Sequence, residues 1–259
     1  MSLRETTRLI VKLVEEHSGY PVQIIDDSSL STFASIRLAR RGGVPAHILV
    51  YRPVSNQTPD YLIAMQCGFA LRLFAVPPEL RLETGMNKVG LQRVRDALEQ
   101  TLRQNRQTLA ASELEQVASQ MYGGLITHLR SVPIGLRIAR WLCESFPELH
   151  ALQRSAVDQE LAQNLEAARS ARGQLLPEVV VKPTLAINAA FAQFWAREYG
   201  DPDLAAGYTS GPSAQAGERL LGIWDNTPYT ADADVALVDA WASVLGLTGW
   251  YTWELYQAP

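Results

Sequence analysis

Hydrophobic and polar positions in the first third of the chain follow two different periods. Residues 3–17 repeat apolar side chains at helical spacing, with charged residues on the opposite side. The segments 21–26, 35–40 and 46–51 instead alternate apolar and polar positions, which is typical of strands. Residues 58–74 are apolar on almost every face, as in a helix that lies inside a domain. The pattern predicts a helix, a three-stranded sheet and a central buried helix, in that order.

The central helix has clear boundaries in the sequence. Thr58 is a suitable N-cap, and Pro59 suits the first helical position because no amide donor is needed there. Asp60 follows, at the positive end of the helix dipole. Pro77 and Pro78 should end the helix, since proline has no amide hydrogen to donate.

Beyond residue 87 the chain is predicted to be nearly all helical. Helices are expected at residues 88–107, 112–129, 133–145, 151–172, 184–199, 218–224 and 233–247. A short loop or strand is expected at 173–182, and glycine, proline and serine residues predict a long surface loop at 207–217. The fold class that follows is α+β and predominantly helical.

The two parts of the chain suggest a domain organisation. The first helix, the sheet and the buried helix are assigned to an N-terminal domain, residues 1–130. Residues 131–259 are expected to form a helical extension packed on it, and one continuous domain is the alternative. With 259 residues, 47% of them hydrophobic, the chain can build a substantial core.

Composition and charge argue against several classes of function. The net charge of −4 gives no broad basic field, and basic residues on the helix predicted at 88–107 are interspersed with acidic ones, so we expect no nucleic acid binding. The uncharged run at residues 240–253 is short for a membrane span. The N-terminus lacks the apolar core of a signal peptide, and two cysteines fit a reducing compartment. We therefore expect a cytoplasmic protein without a membrane partner.

The sequence of the central helix also resembles a known motif. Residues 63–72 read IAMQCGFALR and resemble the I-A-H-E-x-G-H-A-x-R helix of the ImmA/IrrE-type zinc metallopeptidases. In an H-E-x-x-H motif, two histidines one turn apart bind zinc and the glutamate activates the zinc-bound water. Here Met65, Gln66 and Phe69 stand at the His, Glu and His positions. The surrounding residues that fit the family pattern are Ile63, Ala64, Gly68, Ala70 and Arg72.

A second segment carries the same resemblance. Residues 131–149 are similar to a stretch of larger ImmA/IrrE-like proteins that reads roughly P-x-x-L-x-I-E-R-W followed by F-P-E-L. Ala139 stands at the Glu position of that stretch, so a third zinc ligand is lost with the two histidines. The resemblance implies a zincin-like fold with no catalytic residue, metal or cofactor. Gln66 does not restore the chemistry, because a neutral amide cannot accept a proton at neutral pH.

The resemblance implies a function as well as a fold. A metallopeptidase frame without its chemical groups indicates a catalytically inactive pseudopeptidase that acts as a binding or regulatory protein. Active relatives are typically encoded with DNA-binding repressors that they cleave. The expected partner is therefore a protein, such as a repressor, a toxin or a defence component.

Two other functions stay open on the sequence alone. One is a hydrolase with a non-standard site around His47 and Gln66; His47 lies on the predicted strand before the central helix and could face the cleft. The other is a helical interaction module that uses the aromatic C-terminus, with Trp250, Trp253 and Tyr256 at an interface. Docking of these aromatic residues onto the body of the protein is the competing interpretation. A homo-oligomer is also left open.

Overall fold

Helices dominate the fold, as the sequence predicts. The computed structural model describes residues 3–30, 32–53, 59–171 and 176–258. Its α-helices are α1 (Glu5–Ser18), α2 (Asp60–Phe74), α3 (Lys88–Gln104), α4 (Ala111–Ser145), α5 (His150–Ala171), α6 (Glu178–Tyr199), α7 (Pro212–Asn226) and α8 (Asp234–Leu245). Its strands are β1 (Val22–Asp26), β2 (Ala34–Arg37), β3 (His47–Tyr51), β4 (Leu82–Met86) and β5 (Tyr251–Leu255). Short 3-10 turns occur at Pro78–Leu80, Pro147–Leu149, Pro202–Tyr208 and Ala231–Ala233.

The three strands predicted from alternation are confirmed, and they form one sheet. β3 lies in the middle, parallel to β1 with Val22 opposite His47. It is antiparallel to β2, with Ala34 opposite Tyr51. The central strand is also the most buried of the three, because it has neighbours on both edges as well as α2 against the sheet.

The central helix is confirmed as α2, and most of its side chains are buried. Thr58, the expected N-cap, lies outside the described residues. Asp60 begins the helix, and its Oδ1 accepts a hydrogen bond from the Arg4 amide at 2.8 Å. This contact ties the start of α1 to the start of α2. After α2 the chain enters a 3-10 turn at Pro78, so the proline pair ends the helix as predicted.

Helix α2 lies unusually close to α4. A Cβ atom added to Gly68 would lie 2.2 Å from Cγ2 of Ile138 on α4. Only glycine therefore permits this separation of the two helices. Both helices bury apolar side chains at this contact, which is part of the main hydrophobic core.

Helix α4 corrects the prediction of two separate helices at 112–129 and 133–145. It runs without a break over 35 residues, with Pro133 inside it. Proline at this position removes one backbone hydrogen bond and costs about 3 kcal/mol in a helix interior. Residues on both sides of it, Val132 and Ile134, are buried, and the Pro133 carbonyl accepts a hydrogen bond from Trp224 Nε1 at 2.9 Å. Tertiary packing thus outweighs the local preference.

Two further boundaries differ from the sequence prediction. The loop or strand expected at 173–182 is wrong over its second half, because α6 begins at Glu178. The long loop expected at 207–217 is also wrong, because α7 begins at Pro212. Gly217 lies inside α7, where an added Cβ would be 2.8 Å from the amide nitrogen of Ala190 on α6. This glycine marks a close helix contact rather than a loop.

The C-terminal segment pairs with a strand that the sequence pattern did not predict. β5 is antiparallel to β4, with Leu82 opposite Leu255 and Met86 opposite Tyr251. Next to this pair the Tyr256 hydroxyl donates a hydrogen bond to the carbonyl of Ala39, beyond the end of β2. The segment is thereby held against the N-terminal half of the molecule.

One hydrophobic core extends through both halves of the chain, from Ile10 in α1 to Tyr251 in β5. The expected boundary between residues 130 and 131 lies inside α4. In the described ranges no helix combines the length and the apolar character that a membrane span needs.

We predict that Gly68→Ala destabilises the protein by about 1–3 kcal/mol, because the new methyl group would overlap Ile138. Gly124→Ala is the matched control in α4, since an added Cβ there has no atom within 4 Å. It should be neutral or stabilising by up to ~1 kcal/mol, the usual gain for alanine over glycine in a helix. Urea unfolding of both variants measures the difference, and equal stabilities would contradict the close contact.

Candidate functional site

The structure places Met65, Phe69 and Ala139, the three residues singled out by the resemblance, on α2 and α4, which pack against each other. Met65 and Phe69 lie one turn apart on α2 and both reach Gly135 of α4. A Cβ atom added to Gly135 would be 3.6 Å from Phe69 Cζ and 3.8 Å from Met65 Cε. Ala139 lies one turn beyond Gly135 on the same face of α4, and it is buried. The face of α2 that carries Met65 and Phe69 is therefore directed at α4, and both side chains are partly buried there.

The polar groups around this face do not supply a ligand set. Gln66 is partly buried beside Met65. The carbonyl of Ala139 accepts a hydrogen bond from Gln153 Nε2 at 2.9 Å, so the one buried amide nearby is engaged with backbone. Among the described residues no group of three or more His, Cys, Asp or Glu side chains is arranged to hold a metal ion.

His47 does not line an open cleft. It is fully buried, and its ring lies between Tyr20 and Phe74, near the C-terminal end of α2. Its Nδ1 accepts a hydrogen bond from the Ala39 amide at 3.1 Å, and its Nε2 lies 2.9 Å from Ser18 Oγ. Both ring nitrogens are therefore satisfied by groups at the edge of the first sheet.

The contact between His47 and Ser18 is a serine–histidine pair, but its tautomer is wrong for nucleophilic catalysis. Because Nδ1 accepts the Ala39 amide hydrogen, the ring proton is on Nε2, which then donates to Ser18. A base that activates serine needs a free lone pair on the nitrogen facing the hydroxyl. Burial lowers the pKa of His47 and keeps the ring neutral. We interpret the pair as a structural link between α1 and β3.

A network of buried charges lies at the end of α2. Asp234, the first residue of α8, accepts two hydrogen bonds from Arg72 on α2, at 2.6 Å from Nε and 2.8 Å from Nη2. It also accepts one from Nη1 of Arg137 on α4 at 3.0 Å. The Arg137 side chain is 0% exposed. One carboxylate thus holds the helices α2, α4 and α8 together.

The segment before α8 completes this network. Carbonyl oxygens of Thr227 and Thr230 accept hydrogen bonds from Arg137 at 3.1 and 3.3 Å. The ring of Tyr229 lies 5.5 Å from Arg72 Cζ and 5.7 Å from Arg137 Cζ, within cation–π distance. The sequence reasoning missed Arg137, because a buried arginine has no local signal and its partner is 97 residues away.

A small cavity of about 40 Å³ adjoins this network and the motif face. Phe69 and Arg72 border it from α2, Arg130 and Ile134 from α4, and Trp253 from β5. Its volume holds about three water molecules at roughly 10–15 Å³ each. A peptide substrate therefore does not fit inside it.

The aromatic residues near the C-terminus are used mainly inside the molecule. Trp250 is 4% exposed and Tyr256 is 5% exposed. Trp253 is partly buried, borders the cavity and donates from Nε1 to Asp239 at 2.9 Å. These positions leave little of Trp250 or Tyr256 for contact with a partner.

No family model, curated protein or solved structure matches this chain. The likeness of α2 to the ImmA/IrrE helix accordingly stays a prediction.

We predict that Asp234→Ala lowers stability by about 3–5 kcal/mol, because it leaves the fully buried Arg137 without a counter-charge. Glu99→Ala is the control, since Glu99 pairs with the exposed Arg103 one turn away on α3 and such pairs contribute about 0.3–0.5 kcal/mol. Chemical denaturation monitored by circular dichroism gives both values. Similar small losses in the two variants would show that the buried network is not stabilising.

We also predict that His47 contributes a loss of stability as the pH falls from about 7 to 5. The pKa of His47 is lowered in the folded state, so the unfolded chain binds the proton more readily once the pH drops below about 6.5. His47→Asn keeps an acceptor for the Ala39 amide but cannot titrate, and it should reduce this loss. Burial also lowers the pKa of His128, which adds to the loss, whereas burial raises the pKa of Glu160 to about 7, which acts in the opposite direction.

Urea midpoints at the two pH values provide the measurement for His47→Asn. His17→Asn, at the exposed end of α1, is the control and should retain the wild-type loss. A His47→Asn variant whose stability changes between the two pH values as much as that of the wild type would contradict the buried neutral state of His47.

Proposed function

We propose that this protein is a catalytically inactive metallopeptidase-like protein, of the ImmA/IrrE type, that works by binding a protein partner. The observation that carries the proposal is the contact of Met65 and Phe69 with Gly135 on α4. A thioether and a phenyl ring stand where a zinc site needs imidazole nitrogens, and neither group is a suitable ligand for Zn²⁺. Their apolar surfaces instead stabilise the contact between the two helices.

The packing of α2 against α4 supports this proposal. Gly68 lets α2 approach Ile138, and Gly135 leaves room for the two side chains that replace the ligands. Ala139 completes the set on the same face of α4. A zincin-like framework requires three ligand positions that converge, and the placement of these three residues on packed helices supports the proposal.

The proposal also accounts for the missing general base. Gln66 can donate and accept hydrogen bonds but cannot take a proton from water at neutral pH. Binding is then the function that the framework retains. The resemblance suggests a cytoplasmic regulatory role with a repressor, a toxin or a defence component as the partner.

Restoring the zinc ligands tests the proposal directly. We predict that Met65→His with Phe69→His creates a weak zinc site, and that adding Ala139→Glu tightens it at least about tenfold, because a third ligand then converges on the metal. Zinc affinity is measured by competition with a chromogenic chelator. Circular dichroism confirms that each variant folds.

A histidine pair on α3 serves as the matched control for this restoration. Gln92→His with Asp96→His gives the same one-turn spacing on an exposed face. Ala139→Glu should not change the zinc affinity of that pair. If Ala139→Glu also fails to tighten zinc binding at the α2 pair, the three positions do not converge. Near-stoichiometric zinc in the wild-type protein, with a chelator-sensitive peptidase activity, would overturn the inactive assignment.

A further inference from the structure

Arg130 is a cationic residue without a counter-charge at the small cavity. It lies on α4, one turn before Ile134, and its side chain borders the cavity. Its Nε atom is buried and has no hydrogen-bond partner within the described residues. In the same part of the chain, no carboxylate forms an ion pair with it.

The carboxylates near Arg130 are already engaged. Glu83 and Asp234 are the acidic groups whose charge acts on Arg130. Glu83 pairs with Arg40 at 2.6 Å, and Asp234 pairs with Arg72 and Arg137. Both carboxylates that act on Arg130 therefore already pair with other arginines, and Arg130 has no ion-pair partner of its own among the described residues.

Arg130 is partly buried, and its Nε atom is enclosed, so its charge is only partly hydrated in the unliganded protein. Burial removes water from a cation, and this cost is recovered only when an anion or several acceptors replace the water. Burial accordingly lowers the pKa of the Arg130 guanidinium. A ligand with a negative charge would form with Arg130 the ion pair that it lacks among the described residues of the unliganded protein.

The walls of the cavity define the rest of the ligand. Phe69, Leu82, Ile134 and Trp253 present apolar surface around the guanidinium. We propose that the cavity binds the carboxylate group of an apolar carboxylic acid, with Arg130 as its counter-ion and these walls around its first methylene groups.

A monoanionic carboxylate fits this site better than other anions. A guanidinium pairs with a carboxylate through two parallel hydrogen bonds, which uses both oxygens. A phosphate would place further charged oxygens against the apolar walls, where no second free cation is available among the described residues. The cavity of about 40 Å³ accommodates the carboxylate and one or two methylene groups, and the remainder of the chain extends outward.

This site goes beyond the proposed function. It uses Phe69 only as a wall, so it holds whether or not α2 descends from a metallopeptidase helix. The zinc restoration and the carboxylate titration can consequently fail independently of each other.

Hexanoate is the probe for the site, with hexanamide as its neutral analogue and inorganic phosphate as the competing anion. The readout is the ¹H–¹⁵N signal of the Trp253 indole, assigned with Trp253→Phe. We expect hexanoate to shift this signal saturably at about millimolar concentration, and we expect hexanamide and phosphate to have no effect. A peptide that ends in a free leucine carboxylate shows whether a protein terminus is the better source of the same group.

Arg130→Met removes the charge and keeps an apolar side chain of similar length. It should weaken hexanoate binding at least about tenfold and raise the melting temperature of the unliganded protein by about 2–4 °C. Arg103→Met, on the exposed face of α3, should change neither property. Binding of hexanamide or phosphate as strong as that of hexanoate would overturn the proposal. So would a wild-type protein that binds no probe, or an Arg130→Met variant that melts at a lower temperature.

Discussion

The close contact between α2 and α4 determines how the other elements are arranged. Gly68 allows Ile138 to lie directly against the α2 backbone, and Gly135 receives Met65 and Phe69 from the other side of the same contact. Helix α4, about 50 Å long at 1.5 Å per residue, then extends past α2 in both directions and provides a surface for α3, α6 and α8. At Gly68 a side chain of α4 lies directly against the backbone of α2, which limits how far the two helices can shift relative to each other.

The same contact connects the two proposals. Its centre is apolar and filled, which is the basis for a binding rather than a hydrolytic role. At its end, Asp234 joins α2, α4 and α8, and the cavity opens beside this charge network. Among the described residues, the centre of the contact therefore has no charged side chain that could bind a metal ion. An unpaired positive charge lies instead at Arg130, further along α4. The two proposals therefore concern different parts of the same helix pair.

The sequence predicted the elements that have a clear hydrophobic pattern of their own. The alternation in the first sheet and the apolar run of α2 were sufficient to place them. The strand pair β4–β5 was not predicted, since its partners are about 170 residues apart and β4, which reads LETGM, shows no clear alternation. Pro133 predicted a helix boundary that tertiary packing overrides. At the site, Met65, Phe69 and Ala139 were identified from the motif, whereas Arg137 and Arg130 depend on partners and cavities that exist only after folding.

The pairing of β5 with β4 affects the order in which parts of the molecule can fold during synthesis. Trp253 belongs to β5, so one wall of the recess comes from a segment synthesised long after the helix that forms its opposite wall. Contacts between such distant segments form late, because a long loop must close first. A nascent chain that has left the ribosome only as far as α4 already carries the motif helix, but it has no binding recess and an unpaired β4 edge. The proposed carboxylate site is thereby complete only in molecules whose synthesis has passed residue 255.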